Sequence, residues 1–324
     1  MPIVVNTNAS ATEAAFNLSR ASESLRKSLA RLSSGDRITR PAEDAGGLAV
    51  AYKLDSHAKR TEAVLNNHQN ALSYLQLQDG ALNTVGDIVT RMSELRTMAA
   101  DVTKNTGDIE NYSKEFRELQ TQLSQLKLEK FNGIRLFSDD DVTTGTDGLE
   151  KGTETTGTAY AGGANDSSYD KWSFKLITHP SGLEADGSID LNVVNLEWLT
   201  KLEADVDPDG AGAAGAGAAD LSKTEVTAGI LSIDAVSIEE FTNIIQKVAD
   251  ARAENGAEQQ RVQTSYNLHS QNLVNLELAR GRIMDTDMAL ESTRFARYNV
   301  LVQASASMTA QANQLTNVAL TLLQ

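Results

Sequence analysis

Apolar and small side chains recur at alternating steps of three and four residues along both ends of the chain. This spacing is typical of one face of an α-helix that packs against another helix. Near the N-terminus it predicts a helix that ends at Ser33-Ser34-Gly35, since glycine readily adopts the left-handed conformation that closes a helix. The positions on its face are Ala11, Ala14, Leu18, Ala21, Leu25, Ser28 and Leu32.

A second, longer helix is predicted from Ala42 to Asp101. Pro41 is expected to open it, with Glu43 and Asp44 in a first turn at the positive end of the helix dipole. Its face carries Leu65, His68, Leu72, Leu75, Asp79, Leu82, Val85, Val89, Met92 and Ala99. A loop follows, and then a third helix on which Phe116, Leu119, Leu123 and Leu126 share a face.

The helical spacing returns near Ser237 and predicts a long helix towards the C-terminus. Its face carries Phe241, Ile245, Val248, Arg252, Asn255, Gln259, Val262, Tyr266, His269, Leu273, Leu276, Arg280 and Ile283. The polar members of this row cost stability, but polar residues in a seam can fix the register between helices. The last segment, from Met288 to Leu323, is predicted to be helical again.

Strands are predicted only between the two helical ends. Asn132-Gly133 is a strong turn signal, so the segment after it is expected to form one strand of a hairpin. Further on, apolar residues alternate with polar ones at Trp172, Phe174 and Leu176, and again at Ile189, Leu191 and Val193. Because both tryptophans lie in this middle part, we expect it to have a small core of its own. The residues from 207 to 220 form a low-complexity run that predicts a flexible connection.

Charge separates the middle of the chain from its ends. The net charge is −15 over 324 residues, and residues 138–230 alone hold 18 acidic and 5 basic side chains. This balance disfavours nucleic acid as a partner, because phosphate binding needs basic clusters. There is no cysteine, so disulfides and thiolate metal sites are excluded. A long apolar run and a conventional secretory signal are also missing from the sequence.

No pattern of catalytic residues stands out, so we predict that the protein is not an enzyme and uses no cofactor or metal. The four histidines are His57, His68, His179 and His269, and they form no metalloprotease motif. His68 and His269 fall on helix faces and are expected to pack between helices. The fold class predicted is mainly α, a long antiparallel helical bundle or coiled-coil rod from the two ends with a small β-containing central insert.

Both ends resemble bacterial flagellin. The N-terminal matches are VVNTNASA, SLARLSSGDRITRPAEDAGGLAVA, LQDGALNTVGDIVTRMSELRTMA and FNGIRLF. The C-terminal matches are ARAENGAEQQRV, NLELARGRIMDTDMALEST and VLVQASASMTAQANQLTNVALTLLQ. The resemblance implies a subunit that polymerises with itself into the extracellular flagellar filament. It also implies a three-part chain: residues 1–41 and 285–324 as a terminal helical pair in the filament core, 42–137 and 236–284 as a helical rod with a β-hairpin, and 138–235 as an acidic surface domain.

The resemblance further implies partners and a route out of the cell. Family members leave through a type III export channel without a cleaved signal peptide, which accommodates the missing secretory signal. An export chaperone, the filament cap and the hook-junction proteins are the implied partners, and an animal innate immune receptor is a further one. The receptor surface corresponds to Arg91 and Leu95, with an acidic position on the neighbouring helix.

The terminal helices carry the predicted polymerisation interface. Its residues are Leu18, Leu25, Arg31, Leu32, Leu301, Ala304, Met308, Leu315 and Leu322. The simpler interpretation of these faces is a coiled coil within one chain. Likewise, the charged residues around Arg31, Arg37, Arg40, Glu43 and Asp44 form either a solvated turn or a contact that sets subunit register. Two alternative functions remain: a flagellin-like hook–filament junction protein and a secreted surface adhesin.

Overall fold

The computed structural model describes residues 8–138, 150–151, 172–201, 221, 233 and 236–322, and of 150–151 and 315–322 it describes the backbone. The chain divides into two compact units. We call residues 1–59 with 272–324 the terminal unit, and residues 60–271 the central unit. The three-part division predicted above is a statement about roles in a filament and stays a prediction.

The described residues form mostly helix, as predicted. The helices are α1 (Ala9–Ser34), α2 (Ala45–Ala99), α3 (Thr106–Leu126), α4 (Leu196–Thr200), α5 (Ile238–Met284) and α6 (Met288–Leu322). The strands are β1 (Lys130–Phe131), β2 (Ile134–Arg135), β3 (Phe137–Ser138), β4 (Glu150–Lys151), β5 (Trp172–Ile177) and β6 (Ser188–Asn195). Helices α2 and α5 contribute residues to both units.

The ends of α1 follow the sequence closely. The Asn8 side chain accepts a hydrogen bond from the backbone N–H of Ala11 at 3.0 Å and caps the start of the helix. Gly35 closes the helix with φ of 77°, and its N–H donates to the carbonyl of Arg31 at 2.9 Å. The predicted end of this helix is therefore confirmed.

The predicted start of α2, at Ala42, is wrong: the helix begins about one turn later. Residues 41–43 form a turn, and the helix begins only at Ala45. Asp44 is the reason, because its carboxylate accepts the N–H of Gly47 at 2.8 Å and so satisfies a donor that the helix itself cannot pair. A Cβ on Gly47 would collide with that carboxylate, so glycine allows this close approach.

The predicted hairpin is confirmed in the central unit. Strands β1 and β2 pair antiparallel, with Phe131 opposite Ile134. The turn between them is Asn132-Gly133, with φ of 50° and 84°. Two consecutive residues with positive φ match the type I′ turn, whose twist suits a tight hairpin.

The central strands are also confirmed, but they do not form the separate core that we expected. They make a sheet in the order β3-β6-β5-β4, in which β3 and β6 are parallel and the other neighbours antiparallel. Ile189, Leu191 and Val194 of β6 belong to the same buried cluster as Leu75 and Leu82 of α2. Only Trp172 and Val193, with Phe174 against them, form a small satellite cluster. The low-complexity run from 207 to 220 lies outside the described residues.

Buried polar residues join α2 and α5. Asn255 of α5 was predicted for this role, but on α2 the buried residue is Gln78, whereas the side chain of the predicted Asp79 is 38% exposed and pairs with Arg252. Gln78 donates to the carbonyls of Leu136 at 3.0 Å and Asn192 at 3.2 Å, and accepts from Asn255 at 2.6 Å. Gln78 and Asn255 are buried, so the bonds replace their lost hydration and fix one alignment of α2 with α5. His68 is fully buried, and the centroid of its ring lies 5.6 Å from that of His269, with the two ring planes tilted by 56°. Burial, with His68 and His179 nearby, lowers the pKa of His269.

Candidate functional site

The terminal unit pairs α1 with α6 in a single register. The Asn8 amide donates to the carbonyl of Ala312 at 2.9 Å, and the Ser28 hydroxyl donates to the Glu291 carboxylate at 2.7 Å. The two α1 residues are 20 positions apart and the two α6 residues 21 positions apart, in the opposite direction. The helices are therefore antiparallel, and their register does not drift between these two bonds.

Two matching rows of side chains face each other across this pair. On α1 the row is the predicted one, from Ala11 to Leu32, and all its members are buried or half-buried. On α6 the row has steps of four and three and consists of Glu291, Phe295, Tyr298, Val302, Ser305, Thr309 and Ala312, again all buried or half-buried. The register places Leu25 opposite Phe295 and Leu18 opposite Val302. Leu18, Leu25 and Leu32 therefore pack in a coiled coil within one chain, which is the simpler of the two interpretations of the α1 face.

One layer of this coiled coil is polar. Ser28 is 1% exposed and Glu291 is 3% exposed, and the second carboxylate oxygen of Glu291 lies 3.2 Å from the guanidinium of Arg294. A buried polar layer among small and apolar ones disfavours shifted registers, because any shift would leave these groups unpaired. Sequence reasoning missed the α6 row, although its spacing of four and three residues was readable.

A second face of α6 remains exposed. It lies one residue before the α1-facing row and includes Leu290, Leu301, Ala304 and Met308, which follow one another at helical spacing. Leu301 is 43% exposed and Met308 is 66% exposed. Leu301, Ala304 and Met308 were predicted for the polymerisation interface. Leu315 and Leu322 were predicted with them, but their side chains lie outside the described residues. Between Leu290 and Leu301 the same row contains Arg294 and Arg297, so we call only its part from Leu301 to Met308 the outer face of α6.

The part of α6 beyond Arg297 carries no charge. From Tyr298 to Gln324 the sequence has no Asp, Glu, Lys or Arg. Covering the outer face with another protein surface would therefore remove apolar and neutral groups from water, without the cost of burying an ion. Such a surface is suited to association with another helix.

Apolar exposure is concentrated in the terminal unit. It has about a third of the chain, 112 of 324 residues, but contributes 11 of the 19 large hydrophobic side chains that are exposed among the described residues. Six of its described side chains are buried, against more than 40 in the central unit. The terminal set comprises Phe16, Leu29, Val50, Tyr52, Val274, Leu278, Met288, Leu290, Val300, Leu301 and Met308. Apolar exposure of this extent is typical of a surface that another protein covers.

Charge is partitioned in the same way. The terminal unit holds 12 basic and 10 acidic side chains, whereas the central unit holds 17 basic and 34 acidic ones. Copies of the terminal unit can therefore approach one another with little net repulsion, while copies of the central unit repel one another unless water and salt separate them.

The charged residues after α1 pair within the subunit. Glu43 lies 3.3 Å from Lys27 and 3.2 Å from Arg31, and its side chain is 12% exposed. Burial alone would raise the pKa of Glu43, but the hydrogen bonds from Arg31 and Lys27 outweigh it and lower that pKa. Arg37 approaches Asp44 at 3.9 Å, in an exposed pair. Arg31 thus stabilises the end of α1 in the subunit, and its role in a polymer interface stays a prediction.

A backbone clasp joins the breaks on either side of the helix pair. The N–H of Thr286 donates to the carbonyl of Gly35 at 2.9 Å, and the Arg37 side chain donates to the carbonyl of Ile283 at 3.0 Å. Ile38 and Met284 pack beside the clasp in a buried cluster with Ala51. The clasp fixes where α1 ends and α6 begins, and so supports the register of the helix pair.

The two predicted receptor residues lie in the central unit and differ in exposure. Arg91 is exposed and contacts Glu94 at 2.9 Å and Glu115 of α3 at 2.8 Å. Hydrogen bonds to Glu115 and Glu94 raise the pKa of Arg91, which therefore stays charged. Leu95 is fully buried and cannot contact a partner in this fold. Glu115 is an acidic residue of the neighbouring helix α3 that lies within contact of Arg91, and a role of this pair in receptor binding stays a prediction.

The described residues offer no group of side chains that could hold a metal ion. Within the same residues, every helix is too short or too polar to cross a membrane.

Comparison with known proteins places these features in a family. The model of the bacterial flagellin N-terminal helical region matches residues 5–141, and that of the C-terminal helical region matches residues 238–323. The chain is 29% identical to the flagellin of Bacillus subtilis, with 96% of each chain covered. It is also 29% identical to the flagellin of Halalkalibacterium halodurans and 28% identical to flagellin A of Vibrio anguillarum, with nearly complete coverage of both.

Two solved structures are similar to the chain. A putative flagellar hook-associated protein from Vibrio parahaemolyticus has a TM-score of 0.51 at 14% identity, covering 75% of this chain and 100% of that one. A Bacillus cereus flagellin has a TM-score of 0.41 at 20% identity, covering 63% of this chain and 88% of that one. At these identities the first likeness concerns the fold alone.

Proposed function

Because the chain belongs to the bacterial flagellin family, we propose that it assembles through its terminal unit, with the outer face of α6 packing against other copies. The protein is a structural subunit of the extracellular flagellar filament and not an enzyme. The observation that carries the proposed interface is the exposed outer face, which lies in the uncharged part of α6, next to the row that packs against α1. Covering this face removes apolar surface from water, which is the main driving force for association.

The three-part division of the chain is part of this proposal. Residues 1–41 and 285–324 line the filament core, residues 42–137 and 236–284 form the rod around it, and residues 138–235 face outward. The charge distribution supports this order, because residues 138–230 contain 18 of the 44 acidic side chains. Acidic groups at the periphery keep their hydration and lie far apart on neighbouring subunits.

The remaining interface residues take two roles in this proposal. Leu18, Leu25 and Leu32 hold α1 against α6, and so present the outer face in one orientation. Leu301, Ala304 and Met308 contact the neighbouring subunit, and Leu315 and Leu322 continue the same row at a spacing of seven residues.

Other partners and the export route rest on family membership alone. We infer export without a cleaved signal peptide through a type III channel, and binding to an export chaperone, the filament cap and the hook-junction proteins. Recognition by an innate immune receptor would centre on Arg91 and Glu115, which are exposed and paired at 2.8 Å. Leu95 would act there only by packing beneath that surface.

The two alternative functions are not favoured. The relatives that match nearly the whole chain are flagellins, and the likeness to the hook-associated protein concerns the fold. A surface adhesin would need a binding cleft in the central insert, most of which lies outside the described residues.

Seeded polymerisation of the purified full chain tests the proposed function. We expect hollow filaments by electron microscopy after sheared seeds are added, and none after deletion of residues 313–324. That deletion removes the end of α6, including Leu315 and Leu322. A full-length chain that stays monomeric with fresh seeds, or a deleted chain that forms unchanged filaments, would contradict the proposal.

A further inference from the structure

We propose that Met308 is a site of oxidative modification, and that its conversion to the sulfoxide by a hydroperoxide prevents the subunit from joining a polymer. This inference rests on the proposed function, because it concerns the face through which copies assemble. It adds a chemical modification that would act on the unassembled subunit.

The methionines differ sharply in exposure. Met308 is 66% exposed and Met288 is 48% exposed, whereas Met284 is 9% exposed and Met92 is fully buried. Met98 is half-buried against the main core. Oxidation requires contact between the sulfur atom and the oxidant, so Met308 and Met288 are the described methionines that a peroxide reaches first. The chain has no cysteine, so no thiol competes for the oxidant.

The two exposed methionines occupy different sides of α6. Met308 lies seven residues after Leu301, on the outer face and within the uncharged part of the helix. Met288 is 20 residues earlier, which places it about 200° around the axis at 100° per residue. The helix therefore contains a methionine on the assembly face and an exposed one away from it, and the second is a natural control for the first.

The chemistry balances with the peroxide as the only co-reactant. A sulfur lone pair of Met308 attacks the OH oxygen of the peroxide, and the S–O bond forms as the O–O bond breaks. The proton of that oxygen passes to the departing oxygen, which leaves as water from hydrogen peroxide or as an alcohol from an organic hydroperoxide. Sulfur loses two electrons and the peroxide gains them. The product has a strong hydrogen-bond acceptor where the thioether was only a weak one.

The added oxygen has different consequences in the two states of the subunit. In the free subunit the Met308 side chain is in water, so the fold tolerates the sulfoxide. In an apolar contact with a second copy, the oxygen loses its hydration and has no donor assigned to it, which weakens association. The cost of one unsatisfied polar group corresponds to about a tenfold rise in the subunit concentration needed for growth.

A partition experiment tests this on the protein as it is. The monomer is treated with hydrogen peroxide until about half of Met308 is oxidised, seeded, and centrifuged, and peptides from pellet and supernatant are compared by mass spectrometry. We expect the Met308 sulfoxide to be depleted in the pellet by about tenfold, with the Met288 sulfoxide distributed evenly. Equal fractions of Met308 sulfoxide in pellet and supernatant would overturn the inference.

Two single substitutions test whether oxidation of Met308, and not of Met288, prevents polymerisation. Met308→Leu keeps the outer face apolar, so peroxide-treated Met308→Leu should polymerise like the untreated protein, while Met288→Leu should remain sensitive. Undiminished sensitivity of Met308→Leu would overturn the inference. Failure of the untreated wild-type chain to polymerise would instead count against the proposed function.

Discussion

Replacing Leu301 and Met308 together with aspartate abolishes polymerisation and leaves the subunit folded. Both side chains lie on the outer face of α6, at 43% and 66% exposure, so the free subunit tolerates a carboxylate at either position. In a polymer the two carboxylates would be desolvated without partners on a helix segment that has no charge of its own, and each would cost several kcal/mol. The measurement is the amount of pelletable polymer after seeding, with circular dichroism to monitor helix content.

A control variant with the same change in net charge distinguishes an effect of position on the outer face from a general effect of added charge. Met288→Asp with Gln303→Asp also adds two carboxylates to α6, at exposed positions on the other side of the helix. This variant should keep most of its capacity to polymerise. Equal loss in both double variants would mean that the outer face is not the contact.

Phe241→Ala destabilises the central unit by about 3–5 kcal/mol, the range for removing a buried aromatic side chain from a core. Phe241 is fully buried on α5, and its ring meets that of Phe116 edge to face at a centroid distance of 6.3 Å. The substitution removes this contact and leaves a cavity between α3 and α5. Both tryptophans, Trp172 and Trp198, lie in the central unit, so their fluorescence during urea unfolding reports on this unit alone.

The matched control is Ile245→Ala, one turn further along α5. Ile245 is 38% exposed and is expected to lose less than about 1 kcal/mol, since little of its surface leaves contact. A Phe241→Ala variant as stable as Ile245→Ala would contradict the core that we describe.

The sequence predicted the helices and strands well because their signals are local. Steps of three and four residues specify a helix face without knowledge of its partner, and Asn132-Gly133 specifies a hairpin turn by its positive φ angles. The start of α2 was misplaced because Pro41 and Asp44 both carry helix-start signals. The Asp44 carboxylate caps a backbone donor, whereas Pro41 only lacks one, and the structure follows Asp44.

What packs against each face could not be predicted in the same way. Alternation at Ile189 and Leu191 shows that one side of β6 is buried, but not that α2 is what buries it. On α6, attention to leucine, alanine and methionine identified the outer face and passed over the mixed row from Glu291 to Ala312. That row contains Ser305, Thr309 and a carboxylate, which become interior only because α1 supplies Ser28 and small residues opposite them.

Hydrogen–deuterium exchange of monomer and polymer tests most directly whether the terminal unit builds the filament. Amides of residues 9–34 and 288–322 should exchange more readily in the monomer than those of the central helices, because the terminal unit buries few side chains. On polymerisation these two segments should gain the largest protection, while β5 and β6 change little. Protection gained only within residues 60–271, with the terminal helices exchanging as before, would contradict the account.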